Sequence, residues 1–256
     1  MIDVTLLSVL QGVAEFLPIS SSGHLVVGKS LLGLGDTGMR LDIFLHLGTL
    51  AAIFVFYLSI VARVIRNLEW SYMFKIALSA VPAGIVGVLF KDDLEAAFSS
   101  PKAVGAALVF TGAVLVSTRF MPRGSGPVTW LKALIMGIAQ AVAILPGVSR
   151  SGMTLSAARA AGVDAEKSAE FSFLMSAPPI AGAALLETLK AFKAGEAAVA
   201  NEVSWGLTAY GCVLAAVVGY VSLKLLVKSL KGRWFWAFGP YCIAVGAIVL
   251  CTTLFR

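Results

Sequence analysis

The chain has 256 residues, of which 59% are hydrophobic and only 13% charged, and its mean hydropathy is +0.91. A soluble domain carries about 25% charged residues, so most of this surface is built for lipid rather than water. The net charge of +6 does not point to nucleic acid: no basic run exceeds a few residues, and Lys and Arg cluster beside apolar segments as orientation signals do.

Crossing ~30 Å of hydrocarbon at 1.5 Å per residue takes about 20 apolar residues. The expected elements, in chain order, begin with short apolar helices over 4–17 and 24–34, followed by spans over 42–62, 70–90 and 102–120. Short helices over 129–145 and 152–162 come next, then spans over 168–190, 205–229 and 236–255. The four short helices form two pairs. Each pair is joined by a helix-breaking knot: QGVAEFLPISSSGH at Gln11–His24 and QAVAILPGVSRSGMT at Gln140–Thr154. The offset between them is 140 − 11 = 129, close to half the chain. It superposes Gln11 on Gln140, Ser20 on Ser149, Ser22 on Ser151 and Gly23 on Gly152.

Segments too short to cross read as re-entrant hairpins, whose unpaired backbone at the tip must be enclosed by protein. Each half then holds one hairpin and three full spans. Because three is odd, the halves enter the bilayer from opposite sides. The expected fold is an all-α integral membrane protein with inverted-topology repeats, 1–128 and 129–256, each one re-entrant helical hairpin plus three transmembrane helices.

On this topology Arg63, Arg66, Lys75, Arg119, Arg123, Lys132, Arg159, Lys167, Lys224, Lys228, Lys231 and Arg233 share one side. Lys29, Arg40, Lys91, Lys102, Lys190, Lys193 and Arg256 share the other, twelve against seven. Positive-inside logic puts the twelve in the cytoplasm and both termini outside. Met1-Ile2-Asp3 lacks a basic run and a cleavage site, so no removable signal peptide is expected. Cys212, Cys242 and Cys251 lie in apolar stretches and read as small hydrophobes rather than disulfide or metal ligands. The small-residue face Gly211-x-x-x-Ala215 suits either a homodimer seam or packing within one bundle.

Chemistry concentrates at the knots. An ionised group near the bilayer centre costs about 2.5–3.5 kcal/mol on insertion scales, so neither Glu15 nor Arg150 is expected to face lipid. The second knot reads as an anion cradle. Gly147, Ser149, Arg150, Ser151 and Gly152 lead into a half-helix whose N–H groups and dipole favour negative charge, and Thr154 adds a hydroxyl. The Arg150 guanidinium is a planar fork suited to phosphate oxygens. Tight packing of small residues would explain the glycines but not an arginine. The first knot reads as reactive. Gln11 and Glu15 share a helix face, and Ser20, Ser21, Ser22 and His24 follow Pro18. A carboxylate, a hydroxyl and an imidazole beside an anion cradle are the parts of general-base and nucleophilic catalysis. His46 reads as a packing or supporting residue. Asp42, Glu170 and Ser172 either line the same cavity or bound their spans.

These two motifs resemble the undecaprenyl-diphosphate phosphatase family associated with bacitracin resistance. The first is carried by Gln11, Glu15, Pro18, Ser20, Ser21, Gly23 and His24, and the second by Pro146, Gly147, Ser149, Arg150, Ser151 and Thr154. The stretch EFSFLMSAP at Glu170–Pro178 extends the likeness across the chain. Gln11 stands where a carboxylate is the other option, so a second carboxylate there is not essential.

The resemblance implies release of the terminal phosphate from undecaprenyl or another polyprenyl diphosphate at the plasma membrane, which recycles the cell-wall lipid carrier. It also implies a divalent cation, Mg2+ or Ca2+, and a site reached from the outer face. On this reading Arg150, Ser149, Ser151, Gly147 and Thr154 hold the diphosphate, with Gln11 and Ser20 beside it. Ser21 is the first choice of nucleophile and His24 its base or leaving-group acid, with direct attack by His24 as the competitor. Glu15 holds the metal or orients His24. The rival reading is a transporter or scramblase of an anionic lipid or small anion. Broken helices suit that architecture, although translocation needs no nucleophile.

Overall fold

The computed structural model describes residues 1–31, 39–194 and 203–254. The end of the expected 24–34 helix and Arg256 lie outside the described residues, as do the side chains of Lys29, Lys190 and Lys193.

The described residues form α-helices and 3-10 turns and contain no strand, only two isolated bridges that tie Gly124 and Gly126 to Asp164 and Val163. The helices are α1 (Ile2–Ala14), α2 (Ser21–Leu31), α3 (Met39–Phe56), α4 (Leu58–Arg66), α5 (Trp70–Leu89) and α6 (Lys91–Phe98). They continue with α7 (Pro101–Ser117), α8 (Trp130–Val142), α9 (Arg150–Ala160), α10 (Ala165–Ala194), α11 (Trp205–Lys231) and α12 (Phe238–Leu254). Five segments are long and apolar enough to cross a membrane: Trp70–Leu89, Pro101–Phe120, Ala165–Leu186, Trp205–Lys231 and Phe235–Thr253.

The span expected over 42–62 is not straight. It bends by 70° where Tyr57 separates α3 from α4, and the pair makes a sixth crossing only if taken together. The bend turns Leu58–Arg66 so that Arg63 Nε meets Glu69 at 3.2 Å and its Nη2 approaches Glu170 at 3.8 Å. Hydropathy runs on through the break, but polar partners redirect the helix. The short α6 also lies outside the expected elements. Its Asp92 and Asp93 sit in the first turn, where the helix dipole favours them.

The bundle is held by close backbone approach at small residues. A Cβ on Gly112 of α7 would lie 2.6 Å from the Gly239 carbonyl oxygen of α12, and one on Gly105 would lie 3.1 Å from that of Gly246. Gly48 of α3 rests directly on the Cys212 carbonyl of α11. Such contacts suit a bundle in lipid, where association depends on packing rather than on escape from water. Gly211 and Ala215 face α1 in the same way. Gly211 lies against Ser8 and Val4, and Ala215 is fully buried, so this face is used inside the bundle and not as a seam between copies.

Outward, large apolar side chains such as Phe74, Val88, Leu185, Val213 and Val221 are exposed, as befits a lipid-facing surface. The largest buried cluster gathers behind the first knot, where Phe16 packs on Phe173 with ring centroids 5.6 Å apart. α1 and α2 pack on each other, as do α8 and α9.

Candidate active site

Pro18 ends the first knot's helical start, and Ser20 immediately precedes α2. The Ser20 hydroxyl accepts from Gly23 N–H at 3.3 Å and lies 3.4 Å from Ser22 Oγ. The second knot is built the same way. Ser149 caps α9, its hydroxyl accepting from Gly152 N–H at 3.2 Å and lying 3.3 Å from Ser151 Oγ. The two tips touch. A Cβ on Gly23 would sit 3.1 Å from Gly147 Cα, and Ser151 Oγ donates to the Leu17 carbonyl at 3.3 Å.

Across this contact Arg150 Nη2 donates to Glu15 Oε1 at 2.6 Å, linking residues 135 positions apart, with both side chains largely enclosed. The other carboxylate oxygen, Oε2, accepts from Ser21 Oγ at 2.7 Å and from Gln11 Nε2 at 3.2 Å. Glu15, Arg150, Ser21 and Gln11 therefore form one connected polar group inside an apolar bundle. Two of its atoms are enclosed without a partner, the donor Arg150 Nη1 and the acceptor Gln11 Oε1. An enclosed polar atom left unpaired costs about 1–3 kcal/mol, so the arrangement has capacity for an anion at the guanidinium and a cation or donor at the amide oxygen.

The remaining expected residues have mixed positions. His24 contacts neither Ser21 nor Glu15 by hydrogen bond. Its Nδ1 faces the Ser20 carbonyl at 2.9 Å and its Nε2 faces the Tyr241 hydroxyl at 2.8 Å. A carbonyl only accepts, so Nδ1 carries the proton and Nε2 presents its lone pair. Glu15 thus does not orient His24; a backbone carbonyl and Tyr241 do. Thr154 Oγ1 donates to the Arg150 carbonyl at 2.8 Å and lies 2.6 Å from Ser172 Oγ, so it braces the first turn of α9. The Gly147 carbonyl is taken by Thr111 Oγ1 at 3.1 Å, and Ser149 N–H donates to that hydroxyl at 3.1 Å. Gly147 has φ of 91°, a left-handed turn packed on α7 that a side chain would strain. Among the described residues no acceptor pairs with Arg150 N–H or Ser151 N–H, which leaves the start of α9 able to bind an anion.

Three contributors were not legible from the motifs. Tyr241 stacks on His24 at 5.6 Å, Phe173 lies under the Arg150 guanidinium at 5.7 Å, and Thr111 pins the second tip. Tyr241 and Thr111 come from ordinary apolar spans with no local signal. Phe173 lies in the EFSF stretch, where its neighbours pointed to the region but not to a role. His46 Nδ1 bonds the Asp42 carbonyl one turn back in its own helix at 2.8 Å.

For a divalent cation the donor chemistry fits, sparsely. Glu15 and the unpartnered Gln11 Oε1 are hard oxygens side by side. Among the described residues no cluster of three acidic, His or Cys side chains exists to complete a shell. Mg2+ commonly takes one or two protein oxygens and completes its shell with substrate phosphates and water.

Residues 4–248 match the family described as bacitracin resistance protein BacA. The chain is 38% identical to a protein of Desulfatibacillum aliphaticivorans named undecaprenyl-diphosphatase, over 97% of each chain. It is 37% identical to one of the same name from Halothermothrix orenii over 96% of each, and 35% identical to one from Parabacteroides distasonis over 99% of this chain and 98% of that one. With a match over nearly its whole length, this chain belongs to the bacitracin resistance protein BacA family.

Proposed function

We propose that this membrane protein hydrolyses undecaprenyl diphosphate to the monophosphate and free phosphate, recycling the carrier of cell-wall precursors. The observation that carries the reading is the Glu15 carboxylate, shared between Arg150 from the second tip and Ser21 from the first.

When a diphosphate enters, Arg150 exchanges Glu15 for phosphate oxygens, which frees a carboxylate already bonded to a hydroxyl. Ser21 Oγ attacks the terminal phosphorus while its proton passes to Glu15. The bond from that phosphorus to the bridging oxygen breaks, and undecaprenyl monophosphate leaves with the electron pair. Glu15 passes that proton to the departing monophosphate and is again a carboxylate. It then takes a proton from water attacking the phosphoserine, the bond from phosphorus to Ser21 Oγ breaks, phosphate departs and Ser21 Oγ recovers its proton from Glu15. Charge on the transferring group is stabilised by Arg150 and the free N–H groups of α9, the main lever in phosphoryl transfer. A divalent cation held by Glu15 and Gln11 would neutralise phosphate charge when bound. His24 is the competing nucleophile, since the Ser20 carbonyl holds it in the tautomer with Nε2 unprotonated.

The finer architecture belongs to the same proposal. Residues 1–128 and 129–256 are inverted repeats, and α1–α2 and α8–α9 are re-entrant hairpins in the plasma membrane that open outward and inward respectively. Three observations support it: the matching serine–glycine hydrogen bonds at the two tips, their mutual contact, and an exchange of packing partners in which α1 rests on α11 and α8 on α5. The twelve-to-seven charge asymmetry supports an orientation with both termini outside, and an active site reached from the extracytoplasmic side belongs to the same reading.

The test is phosphate release by the purified chain from undecaprenyl diphosphate in detergent, with and without chelator. Glu15→Gln and Arg150→Ala are expected to lower the rate by roughly 10²–10⁴ while leaving the folded fraction unchanged. Full activity in either variant overturns the assignment. An acid-quenched digest is expected to carry the phosphoryl label on Ser21; label on the His24 peptide would transfer the role.

A further inference from the structure

A second polar feature lies at the other end of α9. Arg159 stands at its last turn, nine residues from Arg150 and so about 14 Å along the axis from the tips. Around it is a cavity of about 440 Å³ walled by Arg119, Arg123, Arg159, Arg233 and Trp236. The four arginines come from three separate stretches: the 3-10 turn and loop after α7, the end of α9, and the loop between α11 and α12.

Like charges do not gather without compensation, and among the described residues none comes from a carboxylate: none lies within ion-pair distance of any of the four. The nearby acids are committed elsewhere: Glu166 pairs with Lys231, and Asp164 caps the first turn of α10. Arg123 and Arg233 both bear on Arg159 as like charges, and its Nε is enclosed with no partner.

The cluster is also held in place. Arg159 Nη2 donates to the Met121 carbonyl at 3.0 Å, and Arg123 Nη2 donates to that of Lys231 at 2.6 Å. The Arg119 guanidinium lies 4.7 Å over the Trp236 ring. Arg233 has φ of 67°, a left-handed conformation that costs a non-glycine residue about 1–2 kcal/mol. Glycine would relieve that strain, yet an arginine occupies the position.

We propose that this cavity is an anion site, distinct from the tips, in which Arg119, Arg123, Arg159 and Arg233 bind a phosphate-bearing ligand. Guanidinium forks match phosphate oxygens in pairs, and the enclosed Nε of Arg159 supplies the innermost donor. The source of the phosphate is either the headgroup of an anionic lipid, since the exposed Phe120 lies in the chain between the lining residues Arg119 and Met121, or a free phosphate from solution.

The experiment compares the intact chain with Arg119→Gln/Arg233→Gly, both at exposed positions, and with a charge-matched control, Lys91→Gln/Lys102→Gln. Each is placed in phosphatidylcholine nanodiscs with and without phosphatidylglycerol, and separately in detergent with inorganic phosphate. Native mass spectrometry counts retained phosphatidylglycerol, and thermal melts report stabilisation by either probe. The native chain and the lysine control are expected to respond alike, and the arginine variant to retain at least tenfold less lipid or to lose the phosphate-induced shift. Unchanged phosphate release by that variant in phosphatidylcholine would show that it is folded. A lipid response alone assigns the headgroup, and a phosphate response assigns the free anion. Equal responses in the native chain and the arginine variant, or equal losses in the lysine control, overturn the proposal.

Discussion

At the scale of single residues, Glu15 holds three partners through two oxygens: Arg150 on one, Ser21 and Gln11 on the other. The offset of 129 sets Ser21 against Arg150 and Glu15 against Ile144, so the two knots share a serine–glycine cap but divide the chemistry. That division explains what could be read in advance. A carboxylate and a guanidinium in apolar half-helices are each too costly to stand alone, so both announce themselves. Tyr241 does not, because a tyrosine in a terminal span is indistinguishable from one at an ordinary membrane interface. Its hydroxyl nonetheless occupies His24 Nε2. Tyr241→Phe keeps the stacked ring and removes one hydrogen bond. A loss of about 1.4 kcal/mol corresponds to tenfold, so kcat is expected to fall about tenfold with KM little changed. Steady-state kinetics check this, and an unaltered kcat would reduce Tyr241 to packing.

Helices add a different constraint, because their seams are made where side chains are missing. Gly48 rests on the Cys212 carbonyl, whereas nothing lies within 4 Å of where a Cβ on Gly84 would be. Gly48→Ala must push α3 from α11, an overpacking cost of about 1–3 kcal/mol, while Gly84→Ala only gains helix propensity. Thermal melts in detergent are expected to show a lowered midpoint for the first and an equal or raised midpoint for the second. Five of the six expected spans were legible, since 20 apolar residues leave few alternatives. The break at Tyr57 was not: Leu58–Arg66 stays apolar enough to read as continuation, and the groups that turn it, Glu69 and Glu170, are remote or beyond the bend. The capped tips at Ser20 and Ser149 were legible as turns because Pro, Ser and Gly leave the chain no helical option. How the second tip is pinned was not, because it depends on Thr111 and Ser172 from other helices.

At the scale of the whole molecule, the two halves are interlocked rather than side by side. α1 packs on α11, α5 on α8 and α7 on α12, so each half covers the other's apolar faces. Fragments 1–128 and 129–256 are therefore expected to be inert separately and to recover phosphate release when produced together in one membrane. Activity from either fragment alone would contradict the shared carboxylate. Timing follows from Tyr241, which reaches His24 from the last helix. During synthesis the hydroxyl that meets His24 arrives only with α12, after the other described helices. Chains that stop before α12 therefore lack both the Tyr241 hydroxyl and the helix that covers α7, and are expected to release phosphate more slowly than the whole chain.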